Sequence, residues 1–248
     1  MGEASGDIGV IFEDGQLIGL VKPAGLPTAN APRGSASIYT WLQRRLGAAA
    51  FVGIVSRLDA PVSGVVVVAK TPAAAAHLAR QFRERTVAKE YAAVVEGRFP
   101  APLGQWVDWH DAVARRADEP RSTLERDVAT GDVAGEEDDE TVAGGQAARA
   151  AHVRARVVRR GGEVSLVELE PSTGRRHQLR VQLAGRGCPI VGDRLYGARL
   201  PHVAGIALHA RRLTIEHPET GATVVLEAGP PPAWKERFPW LFRDGAGR

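Results

Sequence analysis

The chain has 248 residues, 44% of them hydrophobic and 25% charged, with a formal charge of +3 and a pI near 9.3. That length supports a sizeable core in one large domain or two small ones, and the mildly basic balance permits a polyanionic partner without specifying one. A single cysteine, Cys188, excludes an internal disulfide and a cysteine-based zinc cluster, and no uncharged apolar window is long enough for a membrane-spanning helix.

The N-terminal stretch MGEASGDIGV lacks the basic-then-apolar order of a signal peptide, and Gly6 stands where myristoylation requires Ser or Thr. A cytoplasmic, reducing location is expected. Residues 8–22, IGVIFEDGQLIGLVK, predict two strands around an Asp14-Gly15 turn. The Pro- and Gly-rich residues 23–34 predict a loop. Residues 36–47 predict a helix with Ile38, Trp41, Leu42 and Leu46 on one side. The apolar, β-branched runs 51–56 and 64–69 predict two buried strands joined by the loop 57–63. Pro72 opens a predicted helix over 72–85, and 89–96, KEYAAVVE, predicts a strand closed by Gly97.

Residues 125–146, ERDVATGDVAGEEDDETVAGGQ, are acidic, Gly-rich and almost without large apolar residues. They predict a flexible, solvated insertion within a domain. Beyond it, 152–159 and 163–170 predict a hairpin around Gly161-Gly162, and 175–184 predicts a helix capped by Ser172 or Thr173. Two strands are predicted at 206–215 and 222–227. The Pro- and aromatic-rich segment 229–248 is expected to pack onto the body. Many strands, with few helices in strict alternation with them, predict an α+β class.

Two stretches offer chemistry. Asp59 falls on a loop between buried strands, where residue type alone favours a plain turn residue bonding local amides over a carboxylate with a chemical role. Arg57, two residues earlier, reads on its own as a surface charge. The stretch TGRRHQLRVQL carries Arg175, Arg176, His177 and Arg180 in one helical window. Such a face suits phosphate, and equally a solvated basic surface. His177 lacks the spaced partners of a metal ligand, and no phosphate-loop, dinucleotide or serine-hydrolase motif occurs.

Four stretches in order resemble the RluA class of RNA pseudouridine synthases. They are IFEDGQLIGLVKPAGLPT, SRLDAPVSGVVVVAKT, KEYAAVVEG, and PSTGRRHQLRVQLAGRGCPIVGDRLYG followed by ALHARRLTIEHPETG. The resemblance implies a single catalytic domain, here residues 8–248, on a long, mainly antiparallel mixed sheet flanked by helices and crossed by a central cleft. It implies isomerisation of a uridine within tRNA or rRNA, without metal or organic cofactor. The partner expected is RNA, met by a monomer without a membrane, and no S4 RNA-binding module is expected.

Carried over by position, Asp59 is implied as the catalytic carboxylate, a nucleophile at C1′ or a base at C2′. Tyr91 is implied to stack on the target base and Leu179 to pack on its other side. Arg180 is implied as the cation paired with the carboxylate, and Arg57 as the residue that helps fill the place of an extruded nucleotide. Ser56 stands where the family more often has histidine. Two other readings remain open: an inactive RNA-binding module of the same fold, and a glycosidase, which needs a second paired carboxylate.

Overall fold

The computed structural model describes residues 8–32, 34–115, 120–125 and 146–242. In chain order its elements are β1 (Gly9–Glu13), β2 (Leu17–Lys22), α1 (Ile38–Leu46), β3 (Ser63–Ala69), α2 (Pro72–Glu84), β4 (Ala88–Glu96), β5 (Val107–Arg115), β6 (Ser122–Glu125), β7 (Gln146–Gly161), β8 (Val164–Pro171), α3 (Gln178–Ala184), a 3₁₀ turn (Arg194–Tyr196), β9 (Leu208–Glu216), β10 (Thr223–Glu227), α4 (Pro232–Arg237) and a last 3₁₀ turn (Pro239–Phe242). The class is α+β, with mixed and mostly antiparallel pairing, as expected. By packing, the chain divides into two compact units: residues up to Ala92 with His202–Pro239, and Ala93–Pro201 with the stretch from Trp240 onward.

In the first unit the strands run β1-β2-β3-β9, with β10 on β9. The valine run of β3 is buried on both faces, because successive side chains of a strand point opposite ways. Val66 and Val68 join Ile18, Leu20 and the α1 residues Ile38 and Leu42. Val65 and Val67 join Leu17, Ala74 and Leu78 of α2, and Leu213 and Leu226. Gly64, at φ +125°, begins the run where β3 pairs in parallel with β9, and a Cβ there would run into the Ala210 backbone. Helix α1 opens on a reciprocal cap: Ser37 Oγ accepts from the Thr40 N–H at 3.1 Å and Thr40 Oγ1 accepts from the Ser37 N–H at 2.9 Å. Helix α2 opens on the Thr71 hydroxyl with Pro72 in its first turn.

Residues 51–56 do not form the expected strand. Only Gly53 bridges Ala69. The reason lies in β3, which β2 covers along its whole length and β9 covers at its start, so only the Ala69 end has an edge to offer.

In the second unit the order is β8-β7-β5-β6. The β7–β8 hairpin turns at the expected glycines, although β7 is 16 residues long and starts at Gln146. Strands β5 and β6 had no counterpart in the sequence reading. The acidic insertion lies, but for its end residues Glu125 and Gln146, outside the described residues. At the C-terminal end Trp234, Phe238 and Leu241 are buried, as expected for a segment packed on the body.

Candidate active site

Asp59 sits half-buried on the loop leading into β3, and the backbone on both sides of it is bonded down. Before it, the Thr28 hydroxyl accepts from the Leu58 N–H at 3.1 Å and donates to the Leu58 carbonyl at 3.0 Å. After it, the Ala60 carbonyl accepts from the Gly25 N–H at 2.7 Å and from Lys22 Nζ at 3.1 Å. The Pro61 carbonyl accepts from the Ile206 N–H at 3.0 Å, and Asp59's own carbonyl accepts from the Val62 N–H at 3.0 Å. Gly205, at φ +63°, makes the Pro61 approach possible, since a Cβ there would run into the Pro61 carbonyl oxygen. The valine strand fixes one end of the loop; residues 22–28 fix its middle.

Lys22 is fully buried at the end of β2. Its ammonium donates to the carbonyls of Leu26 at 2.7 Å, Pro23 at 3.0 Å and Ala60 at 3.1 Å. Burial pushes it down to about 7, while the Asp59 charge holds it up. The β4 residue Tyr91 is half-buried, and burial first, then the Asp59 charge, pushes its phenol up to about 12. Asp59 thus shares its surroundings with one amine and one phenol. Arg57 is exposed on the same loop, open to a polyanion.

Leu179 and Arg180 belong to the second unit, at the start of α3, and both are buried. The helix begins at Gln178, not Arg175, because Arg175–Gln178 form a turn, closed by the Gln178 N–H on the Arg175 carbonyl at 3.0 Å, with His177 at φ 55°. Thr173 does not cap it either; its hydroxyl donates to Gln178 Oε1 at 2.8 Å. The expected basic face therefore dissolves. Arg175 Nε donates to the Ala150 carbonyl and Arg176 Nη2 to the Pro120 carbonyl. Arg180 donates from Nε to Asp193 Oδ2 at 2.7 Å and from Nη2 to Asp193 Oδ1 at 2.9 Å.

Sequence reading gave no role to Lys22, Thr28, Asp193 or Tyr196. A lysine ending the apolar run LIGLVK just before Pro-Ala-Gly was the available signal, since a buried ammonium needs carbonyls close by. Among the described residues, no group of three or more His, Cys, Asp or Glu could hold a metal ion. No described helix is long and apolar enough to cross a membrane.

Residues 16–185 match the family model of the RNA pseudouridylate synthases. The chain is 33% identical to an uncharacterized RNA pseudouridine synthase of Bacillus subtilis, YhcT, over 90% of this chain and 68% of that one. It is 32% identical to the dual-specificity RNA pseudouridine synthase RluA of Haemophilus influenzae, over 88% of this chain and 91% of that one. Among solved structures, the human RNA pseudouridylate synthase domain containing 4 aligns with a TM-score of 0.72 and 25% identity, over 94% of this chain and 92% of that one. With a family model matched over residues 16–185 and relatives above 30% identity over most of both chains, the chain belongs to the RNA pseudouridylate synthase family, whose members are isomerases.

Proposed function

We propose that the protein isomerises a uridine in a structured tRNA or rRNA to pseudouridine, acting in the cytoplasm as a monomer with residues 8–248 as its catalytic domain and Asp59 as its reactive carboxylate. The observation that carries the assignment of Asp59 is its loop. The backbone is bonded on either side of the carboxylate, and Lys22 and Tyr91 both feel its charge. Preorganisation of this kind holds a reacting group in place at no cost during the reaction.

The N1–C1′ bond breaks, the uracil turns, C5 bonds to C1′, the C5 proton leaves, and N1 takes up a proton from water. Asp59 acts on the ribose in its ionised form, as nucleophile at C1′ or base at C2′. The target nucleotide is extruded from the stack, which costs a few kcal/mol. Stacking on Tyr91 offsets about 1–3 kcal/mol of that, and Arg57 fills the vacated place. Leu179 against the base and Arg180 as the reaction's cation rest on the motif resemblance. The Tyr91 phenol stays protonated near neutral pH, so it takes the C5 proton only while passing its own on.

RNA labelled with tritium at uridine C5 tests the proposal. Wild type is expected to release tritium to water, and Asp59→Asn to fall below about one part in a thousand while still binding RNA. Tyr91→Phe is expected to bind and not release. Free uracil would instead mark a glycosidase, and binding without either product an RNA-binding module.

A further inference from the structure

Arg180 and Asp193 are 5% and 2% exposed, and their two parallel hydrogen bonds form a buried ion pair. Such a pair is a poor way to stabilise a fold. Desolvating both charges costs several kcal/mol, and apolar replacements of the same volume serve as well or better. What a bidentate pair does supply is orientation, because it fixes the plane of the guanidinium.

A second contact fixes the remaining freedom. The ring of Tyr196 lies against the Arg180 guanidinium, 5.0 Å from carbon to centroid. The Tyr196 hydroxyl is itself tied down: it accepts from the Ser122 N–H at 2.7 Å and lies 2.9 Å from His177 Nδ1. The Tyr196 oxygen keeps its own proton and a second lone pair, so it bonds His177 Nδ1 in either imidazole tautomer. Asp193 precedes and Tyr196 ends a single 3₁₀ turn, Arg194–Tyr196. His177 precedes the first turn of α3 and Arg180 lies within it; His177 holds a left-handed φ of 55° that costs a non-glycine residue about 1 kcal/mol. The turn and the helix start are therefore joined at two points, Asp193 to Arg180 and Tyr196 to His177. The 3₁₀ turn holds Arg180 at its edge and at its face.

We infer that Asp193 and Tyr196 are positioning residues that fix the guanidinium of Arg180 in the orientation the isomerisation requires. This rests on the assignment of Arg180 as the reaction's cation. Asp193 sets the plane, and the Tyr196 ring, anchored through its hydroxyl by β6 and by His177, prevents the side chain from swinging off that plane. A misplacement on the order of 1 Å at such a group costs about a hundredfold in rate.

The test has two readouts on Tyr196→Phe, Tyr196→Leu and Asp193→Asn. The first is the arginine Nε–H spectrum of ¹⁵N-labelled protein, with the Arg180 resonance identified by its loss in Arg180→Lys. Wild type is expected to show that resonance shifted by the Tyr196 ring and slow to exchange. Tyr196→Leu is expected to lose the shift, Asp193→Asn to lose the slow exchange, and Tyr196→Phe, whose ring stays but loses its anchor, to keep the slow exchange with only part of the shift. The second readout is single-turnover tritium release alongside RNA affinity. Tyr196→Leu and Asp193→Asn are expected to turn over about a hundredfold more slowly, with RNA affinity within about twofold of wild type, and Tyr196→Phe to be within about tenfold of wild-type turnover. An unchanged Arg180 resonance in Tyr196→Leu and Asp193→Asn overturns the clamp. A lost resonance with wild-type turnover overturns the positioning role. A wild-type protein that binds RNA and releases no tritium overturns the isomerase assignment instead, and the spectrum alone then decides whether the clamp exists. Should Tyr196→Leu fail to fold, Asp193→Asn and Tyr196→Phe decide the outcome.

Discussion

Each unit buries a cation, and the two do it differently. Lys22 in the first unit is held by three neutral backbone carbonyls, with a half-buried carboxylate acting on it by charge. Arg180 in the second is held by a carboxylate in direct bidentate contact, with an aromatic ring on its face. Carbonyl dipoles compensate an ammonium only in part, so Lys22 is left easy to deprotonate. A full opposite charge compensates a guanidinium, which no accessible pH discharges. The first arrangement ties loops together and can titrate; the second sets an orientation and cannot lose its charge.

The largest expected effect comes from breaking the second. Asp193→Ala takes the bidentate carboxylate away from the buried Arg180, a loss of about 3–5 kcal/mol in urea unfolding. A loss no larger than that for removing Lys22 would erase the distinction between the two sites.

The pH dependence sharpens the same contrast. Burial lowers the folded Lys22 ammonium to about 7 from an ordinary 10.5. Between those values the unfolded chain binds the proton and the folded one does not. Stability from this group is therefore gained as pH rises through that window and lost as pH falls toward 7. The slope is at most about 1.4 kcal/mol per pH unit, so raising the pH from 7.5 to 9 adds roughly 2 kcal/mol. Lys22→Met is expected to lose this rise, and Asp193→Asn to keep it. Wild-type and Lys22→Met unfolding curves that stay parallel across the window would sink the claim.

A smaller effect is expected from Lys22→Met itself near pH 7. Three carbonyls lose their donor, at a cost of about 2 kcal/mol in urea unfolding once the relief of burying no ammonium is set against it. Thr28→Val keeps the side-chain shape and removes both bonds to Leu58, for about 1 kcal/mol. Turnover is expected to suffer more than stability here, by roughly tenfold, because the loop holding Asp59 loosens. Full turnover in Thr28→Val would show that the other loop bonds position Asp59 without it.

Helix α2, both β-hairpins and the valine strand were legible because their causes are local. Capping, turn chemistry and side-chain periodicity all act within a window of about ten residues. Strand β5 was not legible, for a nearby physical reason. Its inward positions are Val107, Trp109, Asp111 and Val113, and the charge among them hides the period of 2. Asp111 is tolerated inside because Arg186 meets it at 3.0 Å, a partner 75 positions away along the chain.

The candidate site divides along the same line. Asp59 at a turn, Tyr91 on a strand, Leu179 and Arg180 in a helix and exposed Arg57 could be placed from residue type, order and motif. Sequence by itself therefore determined which side chains to consider and which family they belong to. Only the tertiary structure decided that Lys22 donates to Ala60, 38 positions away, and that Arg180 donates to Asp193. It also decided that Arg175 and Arg176 turn to backbone carbonyls and so share no charged face with Arg180. Local propensity sets a residue's backbone, but the partner of a buried charge is whichever group packing brings within hydrogen-bond distance, and short-range pattern carries no information about that.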